Sequence, residues 1–327
     1  MNNFKKIGLT ALAGSLVATS VYAGEMSVSG SASWRISNNA GTDGGKTMAM
    51  GNQLTFTGGG EMDNGMNVAL SFVLDQGDDH PADAATAANA EARADSSPFD
   101  SHSITISSDA MGSIVFAGEG ASSAQNTIDT TAAGDIWDNT FASYTKAGNA
   151  SAGSKTLTWT LPSMVDGLGV VTSYNGSSAG EEGTIGYALT YTGVEGLSVS
   201  YGVGEVGDTT AGTGGREITT YKASYAFGPV TAAISMNDYD ITSAANEEQS
   251  SYKISYTVSD ELSVSYGSET HETTGQATDE EFDQISVSYT SGGLTATVSQ
   301  TNAYNVAGAA SNMTEQSKCN VGLSFAF

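Results

Sequence analysis

The last nine residues constrain the fold more than any other part of the sequence. From Cys319 to Phe327, apolar side chains alternate strictly with small or polar ones. This period of two predicts a β-strand with one apolar face. In a soluble protein such a terminal strand leaves an apolar edge open to aggregation. In a closed membrane barrel the edge pairs with the first strand, and the final aromatic residue lies at the membrane interface.

Residues 1–23 have the features of a secretory signal. Two lysines precede a short apolar stretch, and residues 21–23 form a small-x-small cleavage site. We therefore expect cleavage after Ala23 and a mature domain that covers residues 24–327. Removal of the two lysines lowers the formal net charge from −25 to −27, an acidic balance that argues against nucleic-acid binding.

A repeated hairpin runs through the chain. The segment Leu197–Gly202 recurs almost unchanged as Leu262–Gly267. Weaker copies begin at Met66, Leu168, Val230 and Leu294. Each copy directly follows a tight turn, whereas the opposite strand ends are joined by longer, polar connections. Seven tight turns join fourteen predicted strands, and the first and last strands bring the number to sixteen.

The predicted strands have the length and the pattern of membrane-spanning strands. Most are about 8 to 13 residues long, as a tilted strand needs to cross hydrocarbon. A soluble β-sandwich would also show alternation, but here the second face is polar and the turns are short at one end only. These features favour a sixteen-stranded antiparallel transmembrane β-barrel with short periplasmic turns and long extracellular loops.

Two connections are much longer than the others, residues 76–100 and 120–153. The first contains Asp78, Asp79 and His80, and oxygen-rich clusters can hold Ca²⁺. Their spacing matches no known calcium loop, so a solvated acidic loop is the favoured interpretation and no cofactor is expected. The second connection contains three aromatic residues, which favour a loop that packs against another part of the molecule.

Three stretches carry a resemblance to a known family. They are the opening Glu25–Gly30, the segment Leu157–Leu168 with its proline turn, and the ending Leu323–Phe327. With the strand count, they resemble the general diffusion porins of Gram-negative outer membranes, most closely the alphaproteobacterial type. The resemblance covers the whole chain and implies a homotrimer among lipid and lipopolysaccharide. It also implies that the third loop, about residues 120–153, folds into the lumen as a constriction.

Strand parity and the resemblance together give the candidate pore residues. The basic candidates on predicted inward faces are Arg35, Lys222, Lys253 and Lys318. The acidic candidates in or next to the constriction loop are Glu119, Asp129, Asp135 and Asp138. We expect the two sets to face each other across the lumen and the acidic excess to give a modest cation preference. Porins of this kind usually carry a dense basic row opposite the loop, and in this chain that row is sparse.

No enzyme motif is present in the sequence. It contains no Gly-x-Ser-x-Gly, no phosphate-binding glycine loop and no Cys/His metal spacing, so catalysis is not expected. The favoured function is a water-filled outer-membrane channel for passive diffusion of small hydrophilic solutes and ions. Two alternatives stay open: a substrate-selective porin for one nutrient class, and a structural or adhesin barrel without significant conductance.

Overall fold

The computed structural model describes residues 25–40, 45–75, 100–134, 136, 155–176, 183–207, 215–241, 245–305 and 315–327. The predicted signal segment and most of the first long connection, residues 76–99, lie outside these ranges. In the described part of the chain, no helix is both long and apolar enough to cross a membrane.

The described residues form sixteen antiparallel strands that close into one barrel. Each strand pairs with its neighbours in chain order, and the last strand pairs with the first. The prediction of sixteen strands is therefore confirmed. The strands are β1 (Glu25–Ala40), β2 (Gly45–Glu61), β3 (Asn67–Asp75), β4 (Ser101–Ser108), β5 (Gly112–Glu119), β6 (Thr156–Thr160), β7 (Leu168–Asn175), β8 (Thr184–Tyr191), β9 (Leu197–Val206), β10 (Arg216–Phe227), β11 (Val230–Ile241), β12 (Glu247–Thr257), β13 (Leu262–Thr273), β14 (Glu280–Ser291), β15 (Leu294–Tyr304) and β16 (Gln316–Ala326).

The strand register keeps the apolar side chains on the outer surface. Val264 on β13 lies directly between Tyr256 on β12 and Val287 on β14, and all three point outward. The next residue back, Ser263, points into the lumen. Because side chains alternate with a period of two, a slip of one residue would turn the whole apolar set inward. The difference between the apolar outer face and the polar inner face of the wall therefore fixes the register.

Closure of the barrel depends on the last residue of the chain. The backbone N–H of Gly30 donates to the carbonyl oxygen of Phe327 at 2.8 Å, and the Phe327 N–H donates back to Gly30 at 3.0 Å. A Cβ atom at Gly30 would lie 2.7 Å from the Phe327 ring. The glycine thus leaves room for the aromatic side chain, which is 74% exposed on the outer surface.

The glycines of the short turns have a conformational role. In the turn before β9, Gly196 has φ = +76°, a left-handed conformation that glycine adopts without a steric cost. A Cβ atom at this position would also lie 2.4 Å from the carbonyl oxygen of Ala226. The glycine that ends this turn in the repeated hairpin is therefore required by both backbone angle and space.

A belt of carboxylates lies on the outer surface at the long-loop end of β9 to β14. The outer acidic belt consists of Glu205, Glu217, Asp238, Asp240, Glu248, Glu272, Glu281 and Asp283. Four pairs in it are direct cross-strand neighbours: Glu205 with Glu217, Glu217 with Asp240, Asp238 with Glu248, and Glu248 with Glu272. The described outward positions of these six strands include no lysine or arginine. These eight carboxylates thus face away from the lumen.

The opposite orientations of Val264 and Ser263 give a direct test of the register. An outward arginine costs about 2–4 kcal/mol at the membrane midplane and less near the interfaces. We expect Val264→Arg to lower the free energy of unfolding in lipid vesicles, because Val264 faces lipid. The neighbouring variant Ser263→Arg should retain wild-type stability and change the channel conductance instead. Equal losses of stability in the two variants would contradict this register.

Candidate pore and constriction

The inner loop segment, defined here as residues 120–134 and 136, follows β5 and lies against the inward face of the wall. Its first half is held by wall hydroxyls. The N–H of Ala124 donates to Ser173 Oγ on β7 at 2.7 Å, and Gln125 Nε2 donates to Thr220 Oγ1 on β10 at 2.7 Å. A 3₁₀ turn at Gln125–Thr127 shapes this part of the segment.

The second half of the inner loop segment continues along the same wall. The N–H of Ala132 lies 2.6 Å from Ser251 Oγ on β12 and 2.9 Å from Ser235 Oγ on β11. The N–H of Ile136 donates to Glu269 Oε1 on β13 at 3.1 Å. Anchors from β7 to β13 therefore hold the described part of the predicted constriction loop inside the barrel.

Three glycines on the wall allow the inner loop segment to approach closely. They are Gly186 on β8, Gly202 on β9 and Gly267 on β13. A Cβ atom at Gly202 would lie 2.9 Å from Ile128 Cδ1, and one at Gly267 would lie 3.0 Å from Ala133 Cβ. A Cβ atom at Gly186 would lie 3.2 Å from a backbone nitrogen of the segment. The absence of side chains at these points lets the loop backbone lie directly on the wall.

Buried apolar contacts occur where this segment meets the wall. Ala133 and Ile136 pack with Phe282 of β14 and Ala303 of β15, and all four side chains are buried. Phe282 and Ala303 are inward residues, so they would face water without the loop. Their burial adds a hydrophobic contribution to the anchoring of the inner loop segment.

Lys222 forms an ion pair with the inner loop segment. Its Nζ atom lies 2.7 Å from Asp129 Oδ2 and donates to the carbonyl oxygen of Thr131 at 2.8 Å. The sequence predicts Lys222 across the lumen from the acidic loop. In the structure the loop crosses directly over β10, so the two groups meet on one wall. Lys253 on β12 is also next to the loop: its Nζ atom lies 3.9 Å from the position that an added Cβ would take at Gly134.

The other two basic candidates lie on the far wall. Arg35 is on β1 and Lys318 is on β16. In a ring of sixteen strands, β1 is eight strands away from β9 in both directions, so Arg35 faces the wall that carries the first half of the inner loop segment. Of the acidic candidates, Glu119 ends β5 and pairs with His102 at a β-bulge. Asp135 and Asp138 lie outside the described residues.

A buried polar cluster, which was not among the residues predicted from the sequence, lies next to the loop anchors. His271 is 3% exposed, with Nδ1 3.5 Å from Glu280 Oε2 and Nε2 3.8 Å from Glu247 Oε2. Glu269, which holds Ile136, is two residues away on the same inward face. Strand parity could have found these residues, because Ser263 points inward and positions 269 and 271 have the same parity.

Acidic and histidine side chains are the residue types that could bind a metal ion in this chain. In the described ranges, no group of three or more His, Cys, Asp or Glu residues is arranged to hold a metal ion. Asp78, Asp79 and His80, which were considered for Ca²⁺ from the sequence, lie outside those ranges.

Comparison with known proteins identifies the family. A family model described as "Gram-negative porin" matches residues 8–327. A search of curated protein sequences found no match. An anion-selective porin from Comamonas acidovorans is similar in structure, with 13% sequence identity, a TM-score of 0.65, and coverage of 93% of this chain and 99% of that chain. Salmonella typhi OmpF in complex with daunomycin gives 14% identity, a TM-score of 0.70, and coverage of 93% and 98%.

A mutant of the Rh. blastica porin gives 15% identity, a TM-score of 0.65, and coverage of 93% of this chain and 100% of that chain. At these identities the structural matches show the fold alone. The family match covers nearly the whole chain and agrees with the barrel, so the protein is a non-enzymatic outer-membrane channel. This chain belongs to the Gram-negative porin family.

Proposed function

We propose that this porin is a general diffusion channel of the alphaproteobacterial type, exported with residues 1–23 removed and assembled as a homotrimer among lipid and lipopolysaccharide. The observation that supports this proposal is that the inner loop segment packs on one wall of the barrel. Across from it, the inward residues of β15, β16, β1 and β2 are mainly serine, threonine, glycine and other small or polar types. Such a surface suits a water-filled passage for small hydrophilic solutes and ions.

The proposed channel has a modest cation preference. Asp129 is 52% exposed on the inner loop segment, and Asp135 and Asp138 follow it in the sequence. Carboxylates near a constriction attract cations and repel anions. The preference stays modest because Lys222 neutralises Asp129 and because the outer acidic belt does not face the lumen. Screening weakens it further, since the Debye length is about 8 Å at physiological ionic strength.

Reversal potentials in planar bilayers under a KCl gradient test both the pore and its charges. We expect ion-conducting channels whose reversal potential is cation-selective. Asp129→Asn should shift the reversal potential toward anions, because Lys222 then has no carboxylate beside it. Lys222→Ala should shift it toward cations, and Lys253→Ala should do the same.

The double variant Asp129→Asn/Lys222→Ala is the matched control. It removes one charge of each sign at the same place, so its reversal potential should lie close to that of the unmutated protein. An anion-selective reversal potential for the unmutated protein would contradict the proposed charge assignment. A barrel that inserts but carries no current would favour the structural alternative.

A substrate-selective porin is the second candidate function. The observation that favours it is a recess in the lumenal wall around Arg35, on the side of the barrel away from the inner loop segment. A general diffusion pore needs no such recess, whereas a selective pore needs at least one place where a solute is recognised. The recess is therefore the feature that separates the two candidates.

A further inference from the structure

A row of five buried polar side chains crosses the inward face of the wall beside the inner loop segment. The strand register places one of them on each strand from β10 to β14, in the order Thr220, Asn237, Gln249, His271 and Glu280. All five are at most 4% exposed. Buried polar groups are nearly always hydrogen-bonded, and each exception requires an explanation. In this buried row, the side chain at the centre is such an exception.

The two ends of the buried row lie at the two anchors of the inner loop segment. At the β10 end, Thr220 Oγ1 accepts a hydrogen bond from Gln125 Nε2 at 2.7 Å and donates to the next residue of the row at 2.5 Å. At the β13 end, Glu269 accepts from the N–H of Ile136 and is two residues from His271 on the same inward face. A change in the row can therefore reach the loop through its anchors.

The His271 ring lies between two carboxylates. Its Nδ1 atom is 3.5 Å from Glu280 Oε2, and its Nε2 atom is 3.8 Å from Glu247 Oε2. A neutral imidazole has one N–H and one lone pair, whereas the protonated ring has an N–H on both nitrogens. Only the protonated ring therefore directs an N–H at each carboxylate. After loss of the proton, a lone pair faces a carboxylate oxygen and repels it.

The other charged groups near His271 do not change this conclusion. On the inward faces of β12, β13 and β14, the described carboxylates around the ring are Glu247, Glu269 and Glu280. Lys253 on β12 is opposite the glycine four residues before His271, roughly 13 Å away along the strand. In the described loop, Asp129 pairs with Lys222 at β10. His271 and its neighbours Glu269 and Glu280 take part in further interactions, so the protons on one ring, and not the total charge, are the variable.

Gln249 is an alternative partner for the neutral ring. It lies directly opposite His271 on β12 and is fully buried. Within the described ranges, neither the nitrogen nor the oxygen of its amide has a hydrogen-bond partner, which is unfavourable for a buried group. The amide NH₂ can donate to a ring nitrogen that has lost its proton. Deprotonation thus changes the preferred partner of the ring from two carboxylates to one amide.

We propose that His271 and Gln249 form a pH-dependent switch that sets how firmly the wall holds the Ile136 end of the inner loop segment. The protonated ring ties β12 to β14 beside the Glu269 anchor. When the ring loses its proton, it turns toward Gln249, and the carboxylates next to the anchor are free to move. The tie is present at low pH and is lost as the pH rises through the titration of the ring. The switch rests on the proposed pore function, because a looser loop alters the current only where the loop narrows the channel.

Single-channel recordings in bilayers of zwitterionic lipid test the switch at constant KCl. The pH is varied from about 5.5 to 9.5, a range that includes the ordinary titration of imidazole. We expect the unmutated channel to be steady at low pH. At high pH, the time spent in sub-conductance levels should rise about fivefold, the change in equilibrium that corresponds to one ordinary hydrogen bond.

Three variants make the result specific to the buried row. His271→Gln has no titrating ring, so its current should be independent of pH. His102→Gln is the matched control, because His102 points outward on β4, and it should keep the pH dependence of the unmutated channel. Gln249→Leu removes the partner of the neutral ring, so the transition should move to higher pH. Conductance in KCl shows that each variant is folded and inserted.

Nitrogen NMR of the histidine rings in detergent micelles gives a measurement that does not depend on current. The chain has three histidines, and His271→Gln identifies the signal of His271. We expect this ring to carry two protons at low pH and to lose one at the midpoint of the current transition. A ring that does not titrate in this range, or a pH dependence that persists in His271→Gln, would overturn the switch. Absence of current in all proteins would overturn the pore function, while the ring titration would still report on His271.

Discussion

Deletion of Phe325–Phe327 should leave protein that is exported but not inserted as a barrel. The deletion removes both backbone hydrogen bonds between Gly30 and Phe327 and the bond from Ala326 N–H to the Gly293 carbonyl oxygen. It also leaves part of the edge of β1 and of β15 without a partner strand. In hydrocarbon, each unsatisfied backbone group costs several kcal/mol. We therefore expect heat-modifiable barrel in outer-membrane fractions to fall to background.

The conservative variant Phe327→Tyr is the control for the deletion. It keeps every backbone bond of the closure and retains an aromatic ring, which is suited to the membrane interface. Its amount of heat-modifiable barrel should equal that of the unmutated protein. Normal amounts of barrel after the deletion would show that closure between β1 and β16 does not depend on these residues.

Filling the wall beneath the inner loop segment should change the channel more than any single charge substitution. In Gly202→Leu, the new side chain would occupy space that Ile128 and the backbone of Gln125 now fill. Overpacking of this kind costs typically about 1–3 kcal/mol, and the loop can relieve it by moving off the wall. Because the free space is in the lumen, we expect the loop to move toward the pore axis. The single-channel conductance should then fall severalfold, with more current noise.

Gly58→Leu is the matched control for this substitution. Gly58 lies on the outward face of β2, and nothing lies within 4 Å of an added Cβ there. The same change of side chain should therefore leave the conductance unchanged. If Gly202→Leu also conducts as the unmutated channel does, the loop is not held at its described position by close packing with β9.

The architecture could be predicted from the sequence because a barrel wall is a local pattern. The alternation in the final strand, from Cys319 to Phe327, can be recognised from residues that are adjacent in the sequence. The same is true of the turn that ends at Gly196. Strand parity then assigns the residues of each strand alternately to the inward and the outward face. The same rule gave the inward orientation of Arg35, Lys222, Lys253 and Lys318.

The path of the inner loop segment could not be predicted in the same way. Lys222 and Asp129 are separated by 93 residues in the sequence, and parity gives the direction of a side chain but not which wall the loop approaches. Gly202 and Gly267 occupy equivalent positions in the repeated hairpin, where they resemble ordinary strand glycines. Only their contacts with Ile128 and Ala133 reveal that they lie beneath the loop. The pairing of Lys222 with the loop follows from that path.

The negative charge of the outer acidic belt has to be balanced by ions from the surrounding solution. Like charges directly opposite each other on neighbouring strands repel and destabilise a sheet, and four such pairs occur between β9 and β13. No described outward base on β9 to β14 compensates for them, so mobile counterions from the medium must do so. Dissolved salt, which shortens the range of the repulsion, thus strengthens this wall of the barrel. We therefore expect dilution of the medium to lower the stability of the same strands that hold the inner loop segment.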